Sequence, residues 1–116
     1  NMHWRELTSV DQFDHILQES YSKPIAIFKH STRCATSTVA MNRLEKGWQI
    51  DEEEVPIYFL DLIAHRDIAN KISDDLDVMH QSPQLILFKD GRSLYNASHL
   101  FISINELQRQ LEDSKA

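Results

Sequence analysis

One sulfur nucleophile is present in 116 residues: Cys34 is the only cysteine in the chain. It stands between Lys29-His30-Ser31-Thr32-Arg33 and Ala35-Thr36-Ser37. A thiolate attacks a disulfide sulfur and a thiol does not, so the chemistry on offer is thiol–disulfide exchange, provided the surroundings favour the anion. The blander reading is that Cys34 is a small apolar filler of the core. A lone thiol cannot close an internal disulfide, which excludes a disulfide-stapled secreted domain. A zinc site built on cysteine pairs is excluded as well. Six histidines (His3, His15, His30, His65, His80, His99) show no metal-ligand spacing. His30 and Cys34 are four apart, but two ligands across a loop are too few, so no metal is expected.

Two helix signals and one turn signal bear on the cysteine. A helix is expected to start at Cys34 and end near Gly47, with Val39, Met41, Leu44 and Trp48 giving the apolar spacing. At such a start, free backbone N–H groups and the helix dipole favour a negative sulfur. Ala35 and Thr36 supply those donors, Arg33 adds positive charge with Lys29 and His30 nearby, and Ser37 lies one turn on, where its hydroxyl can aim back at Cys34. Further along, Ser82-Pro83 immediately precedes an apolar run, Gln84 to Lys89.

The remaining elements follow from period and punctuation. Ser9 caps a first helix to about Ser20, with Gln12 three residues on as in a capping box. Tyr21 to Pro24 breaks it. Ile25 to Phe28 is an unbroken apolar run, expected as a strand buried on both faces, followed by a polar loop from Lys29 to Arg33. Asp51 to Glu54 is an acidic connector, and Val55 to Leu62 a second strand. A third helix spans His65 to Leu76, with Ile68, Ile72 and Leu76 on one face. After the third strand, Asp90-Gly91 is a hairpin turn and Arg92 to Ala97 the return strand. Ser103 caps a last helix to about Glu112, with Glu106 completing the box. Leu100-Phe101-Ile102 is expected to staple or pack against that helix. Trp4 and Trp48 read as packing residues at element ends, and His80 as either site lining or solvated loop.

The order α-β-α-β-α-β-β-α predicts a four-stranded mixed sheet with helices on both faces, a three-layer α/β/α sandwich. Residues 1–116 form one domain, of which 41% is apolar and 26% charged. Asn1 ahead of Met2 reads as a cloning remnant. No apolar run approaches the ~20 residues of a membrane span. The N-terminus lacks a secretory pattern, so the expected location is cytoplasmic. The net charge of −6 argues against a nucleic-acid or anionic-membrane partner. The sequence is silent on oligomeric state.

A cysteine after a buried strand, at the start of a helix, with Ser82-Pro83 ahead of a later strand, is the layout of the thioredoxin-like superfamily. Phe59 to Leu62, Leu76-Asp77-Val78, Ser82-Pro83 and Leu85 to Arg92 resemble the second half of a thioredoxin. More closely, Phe28 to Ser37 together with His80-Gln81-Ser82-Pro83-Gln84 resembles the YtxJ-like, or bacilliredoxin-like, family of monothiol thioredoxin-fold proteins. Members usually carry Pro-Ile directly after the cysteine, where this chain has Ala35-Thr36.

The resemblance implies a cytoplasmic oxidoreductase of redox homeostasis and stress response. Cys34 would take a low-molecular-weight thiol, bacillithiol, off a mixed disulfide on an S-thiolated protein. Ser37 occupies the place of the second cysteine of dithiol relatives, so a further thiol must reset Cys34. No cofactor is implied beyond bacillithiol as co-substrate. Pro83 is expected to be cis, with the Ser82 backbone, Ser31, Thr32 and Arg33 contacting substrate; Arg33 is the candidate partner for the malate carboxylates of bacillithiol. Two other readings stand beside this one. The first is a non-catalytic thioredoxin-fold scaffold with a redox-regulated cysteine. The second is a monothiol glutaredoxin-like iron–sulfur carrier, disfavoured because Cys34-Ala35-Thr36-Ser37 replaces the usual Cys-Gly-Phe-Ser.

Overall fold

A computed structural model describes residues 2–116; Asn1, read above as a cloning remnant, lies outside them. The chain runs β1 (Trp4–Glu6), α1 (Val10–Glu19), β2 (Ile25–His30), α2 (Ala35–Gly47), β3 (Ile57–Asp61), α3 (Arg66–Leu76), β4 (Gln84–Lys89), β5 (Arg92–Ser98), a 3₁₀ turn (His99–Phe101) and α4 (Ile104–Asp113). The strands form one sheet in the order β1-β3-β2-β4-β5. β2 and β3 are parallel, and β4 and β5 are antiparallel to their neighbours.

The sheet has five strands, one more than expected. The extra strand, β1, pairs in parallel with β3 over Trp4↔Ile57, Arg5↔Tyr58 and Glu6↔Phe59. Three residues carry no period of their own; ladder bonds to β3 define this strand, together with the Trp4 ring, 5.8 Å from both Phe28 and Phe59.

Alternation along the strands divides the core into two layers. Ile25 and Ile27 of β2, Tyr58 and Leu60 of β3, and Ile86 and Phe88 of β4 face α1 and α3, meeting Phe13, Ile16, Ile68, Ile72 and Leu76. Ala26, Phe28, Ile57, Leu85 and Leu87 face α2 and α4, meeting Ala40, Leu44, Leu107 and Leu111. Burial on both faces is why β2 and β4 read as continuous apolar runs; each large side chain removed from water contributes about 1.5–3 kcal/mol.

The caps are those the sequence announces. Ser9 Oγ accepts the Gln12 N–H at 3.0 Å, and Gln12 Oε1 accepts the Thr8 N–H at 2.7 Å. Ser103 Oγ accepts the Glu106 N–H at 3.1 Å. Asp90 and Gly91 both have positive φ, 54° and 71°, as a two-residue hairpin turn requires.

Two expectations need correction. Lys29 and His30 are not loop: they continue β2, paired with Leu60 and Asp61, and both are buried. Their backbone groups are paired in the ladder, and His80 and Ser37 partner their side chains, which lessens without cancelling the cost of burial. Leu100 and Phe101 do not pack under α4; they are 66% and 84% exposed on the 3₁₀ turn, while Ile102 alone of the three joins the core. His99, at φ 55°, turns the chain so that its N–H bonds the Pro83 carbonyl at 3.0 Å.

Candidate active site

The cysteine sits where β2 ends and α2 begins. Its backbone is extended, at φ −115° and ψ 116°, and it is the N-cap of α2. The Cys34 N–H donates to the Ser31 carbonyl at 3.1 Å, closing the connecting turn. Its own carbonyl accepts the N–H groups of Ser37 and Thr38 at 3.1 and 3.2 Å and so starts the helix. The N–H groups of Ala35 and Thr36 have no acceptor among the described residues. The thiol is free, half-buried, and caps nothing. An anionic sulfur here has two unclaimed backbone donors in the first helical turn beside it. Arg33 and Thr32 are exposed on the turn, Ala35 is exposed, and Ser31 and Thr36 are half-buried.

Ser37 does something other than face the sulfur. Its hydroxyl is fully buried, accepts the Ser31 N–H at 3.1 Å and meets His30 Nδ1 at 2.6 Å. That oxygen thereby joins the Ser31 N–H and the His30 ring in one hydrogen-bonded unit. The ring is flanked by Phe28 and Phe59, with centroids 5.9 and 5.4 Å away. Burial holds His30 below its ordinary pKa, against the opposing pull of Asp61. His30 is therefore neutral near pH 7 and adds no positive charge beside Cys34. It anchors the turn instead, through Ser37.

The second half of the site enters from β4. The Ser82–Pro83 peptide bond is cis. Lys29 of β2 pairs with Gln84 of β4, so the strand leading out to Cys34 and the strand entered from Pro83 are neighbours. Both loops emerge at the same end of the sheet. Pro83 is buried, its carbonyl held by His99, and Ser82 Oγ has no hydrogen-bond partner among the described residues.

One arrangement went unseen in the sequence. Lys29 points into the α1/α3 layer, fully buried, with Nζ 3.3 Å from His80 Nδ1. Burial lowers its pKa to about 8. Burial also lowers that of His80, with Lys29 and Arg66 pushing the same way. The available signal was alternation: Ile25, Ile27 and Lys29 lie two apart, on one face of a strand.

A family model described as monothiol bacilliredoxin BrxC matches residues 5–107. Among solved structures, the chain is similar to a proposed oxidoreductase with a thioredoxin fold, at 29% identity and a TM-score of 0.78, over 92% of each chain. It is also similar to thioredoxin from Trypanosoma brucei brucei, at 18% identity and a TM-score of 0.74, over 97% of this chain and 91% of that one. Thioredoxin Mala s 13 from Malassezia sympodialis aligns at 19% identity and a TM-score of 0.71, over 100% and 94%. The two thioredoxins speak to the fold alone. Among the described residues, no helix is long and apolar enough to cross a membrane.

Proposed function

The chain belongs to the monothiol bacilliredoxin BrxC family, and from that premise we propose that Cys34 strips a low-molecular-weight thiol, bacillithiol, from S-thiolated proteins. Family and fold together support a thiol oxidoreductase that has a single cysteine to work with. The Cys34 thiolate attacks the small thiol's sulfur in the mixed disulfide. A Cys34–sulfur bond forms as the old sulfur–sulfur bond breaks, and the electron pair leaves with the substrate protein's thiolate. No electron is gained or lost overall; the adduct has moved onto Cys34, and a further small thiol must displace it.

The observation that carries this reading is the placement of Cys34 as N-cap, half-exposed, beside the unclaimed N–H groups of Ala35 and Thr36. Ser37 favours a one-cysteine cycle, because its hydroxyl serves the turn and offers no second thiol. The neighbouring Ser82–Pro83 loop, with its cis bond, is where we assign backbone pairing with the substrate chain, the strand-addition mode of recognition. Exposed Arg33 is the residue we assign to the carboxylates of bacillithiol, with Ser31 and Thr32 along the same turn.

Mass spectrometry after incubation with bacillithiol disulfide tests the proposal. The wild type is expected to gain one bacillithiol adduct and Cys34→Ser none. Absence of an adduct on the wild type would reject the exchange reading in favour of a scaffold role.

A further inference from the structure

Lys29 shares its inward face with Ile25 and Ile27, and its side chain is fully buried. A buried ammonium without a carboxylate is among the costliest groups a core can hold. Among the described residues Lys29 forms no ion pair. Its side-chain partner is the ring of His80, at 3.3 Å. An ammonium only donates, so Nδ1 of His80 accepts and the ring proton sits on Nε2. Nδ1 faces the buried lysine; Nε2, across the ring, points away from it on a half-buried residue.

The ring is held in place. Gln84 Nε2 donates to the Met79 carbonyl at 3.1 Å, and Gln84 Oε1 accepts the Gln81 N–H at 3.4 Å. The two residues flanking His80 are thus tied to the start of β4, in the loop that carries the cis Ser82–Pro83 bond. The charges acting on the ring are both positive: Lys29 from β2 and Arg66 from the first turn of α3. The result is an N–H donor on the side of the ring away from the buried cation, with no acceptor among the described residues.

We infer that His80 reads a carboxylate on the small-thiol half of the disulfide, donating from Nε2–H, and that Lys29 is the positioning residue that fixes this tautomer. The ligand class is a disulfide whose small-thiol half bears carboxylates. This inference rests on exchange at Cys34, and it assigns to the Pro83 loop a selectivity distinct from that of Arg33.

Adduct formation on Cys34 is followed by mass spectrometry with two disulfides, dithiodiglycolate, which carries carboxylates, and neutral hydroxyethyl disulfide. His80→Phe is expected to slow the first about tenfold and to change the second by less than about twofold. His80→Gln, which can accept from Lys29 and donate outward, is expected to restore most of the loss. Lys29→Met is expected to follow His80→Phe in direction. Equal losses on both disulfides, or no loss on either, would overturn the inference while leaving exchange intact. A wild type that forms no adduct with either disulfide overturns the exchange reading, and this inference with it. Should Lys29→Met fail to fold, the contrast between His80→Phe and His80→Gln decides the matter.

Discussion

Burying Lys29 costs the fold stability, and the cost has a pH signature. Its ordinary pKa is 10.5, and burial lowers it to about 8. Below pH 8 both folded and unfolded chains hold the proton, so the folded state bears the whole desolvation penalty. Between about pH 8 and 10.5 the folded protein has released the proton and the unfolded chain keeps it, so stability climbs with pH across that window. Lys29→Met removes the charge while keeping the length of the stem. It is expected to stabilise the protein by about 2 kcal/mol at pH 7, somewhat less than the shift alone implies because the bond to His80 is lost. Above pH 10.5 that gain is expected to vanish. Urea denaturation at pH 7, 9 and about 10.5 checks this, and a variant no more stable than wild type at pH 7 would show that the ammonium is well solvated. A stabilising variant with impaired exchange on anionic disulfides would mark Lys29 as retained for function. Ser37 makes the opposite case: its hydroxyl satisfies the Ser31 N–H and the His30 ring together, so stability and the shape of the cysteine turn depend on the same atom.

At the scale of elements, what the sequence displayed depended on how local the cause was. The capping serines Ser9 and Ser103 and the Asp90-Gly91 turn act within three or four residues, and each stands where its residue types indicate. The helix opening at Cys34 and the Ser82-Pro83 punctuation were equally plain, so both halves of the site could be placed in chain order. β1 was invisible because its pairing with β3 lies some fifty residues away and its three residues show no alternation. The polarity of Lys29 and His30 reads as loop; the partners that let them stay in β2 are His80, fifty-one residues on, and Ser37, across the cysteine turn, and neither pairing shows as a period or a motif. Ser37, likewise, stood at the right spacing to face Cys34 and was drawn instead to a buried ring.

The hairpin gives this scale its prediction. Gly91 has φ 71°, and a Cβ there would lie 2.6 Å from Tyr21 Oη. The same turn is tied to the end of α1, where the Asp90 N–H donates to the Ser20 carbonyl and the Gly91 N–H to Ser20 Oγ. Gly91→Ala is expected to lower stability by about 1–2 kcal/mol, through backbone strain and displacement of Tyr21. The expected record is a lower urea midpoint with an unchanged slope and wild-type adduct formation on Cys34, since the turn lies at the far end of β4 from Pro83. Loss of exchange alongside stability would mean that strain passes along β4 to the site.

The whole molecule carries a net charge of −6, so an anionic disulfide approaches against the protein's overall field. Two kinds of positive group oppose that repulsion at the cysteine end, and they respond differently to salt. Arg33 is exposed, so its attraction passes through solvent and is screened within about 8–10 Å at physiological ionic strength. Lys29 is sealed beneath the Pro83 loop, and its influence on His80 crosses protein rather than water. Arg33→Glu exchanges a positive for a negative charge and makes the net charge more negative than −6. Its adduct formation with bacillithiol disulfide is expected to fall severalfold at low salt and to recover most of that loss at about 0.5 M salt, where the Debye length shrinks toward 4 Å. Lys29→Met is expected to keep its deficit on the same substrate at both salt concentrations. Rates followed by mass spectrometry at the two ionic strengths separate the cases. An Arg33→Glu deficit untouched by salt would mean that Arg33 holds a carboxylate in direct contact, and a Lys29→Met deficit erased by salt would mean that the buried cation acts only as part of the general surface field.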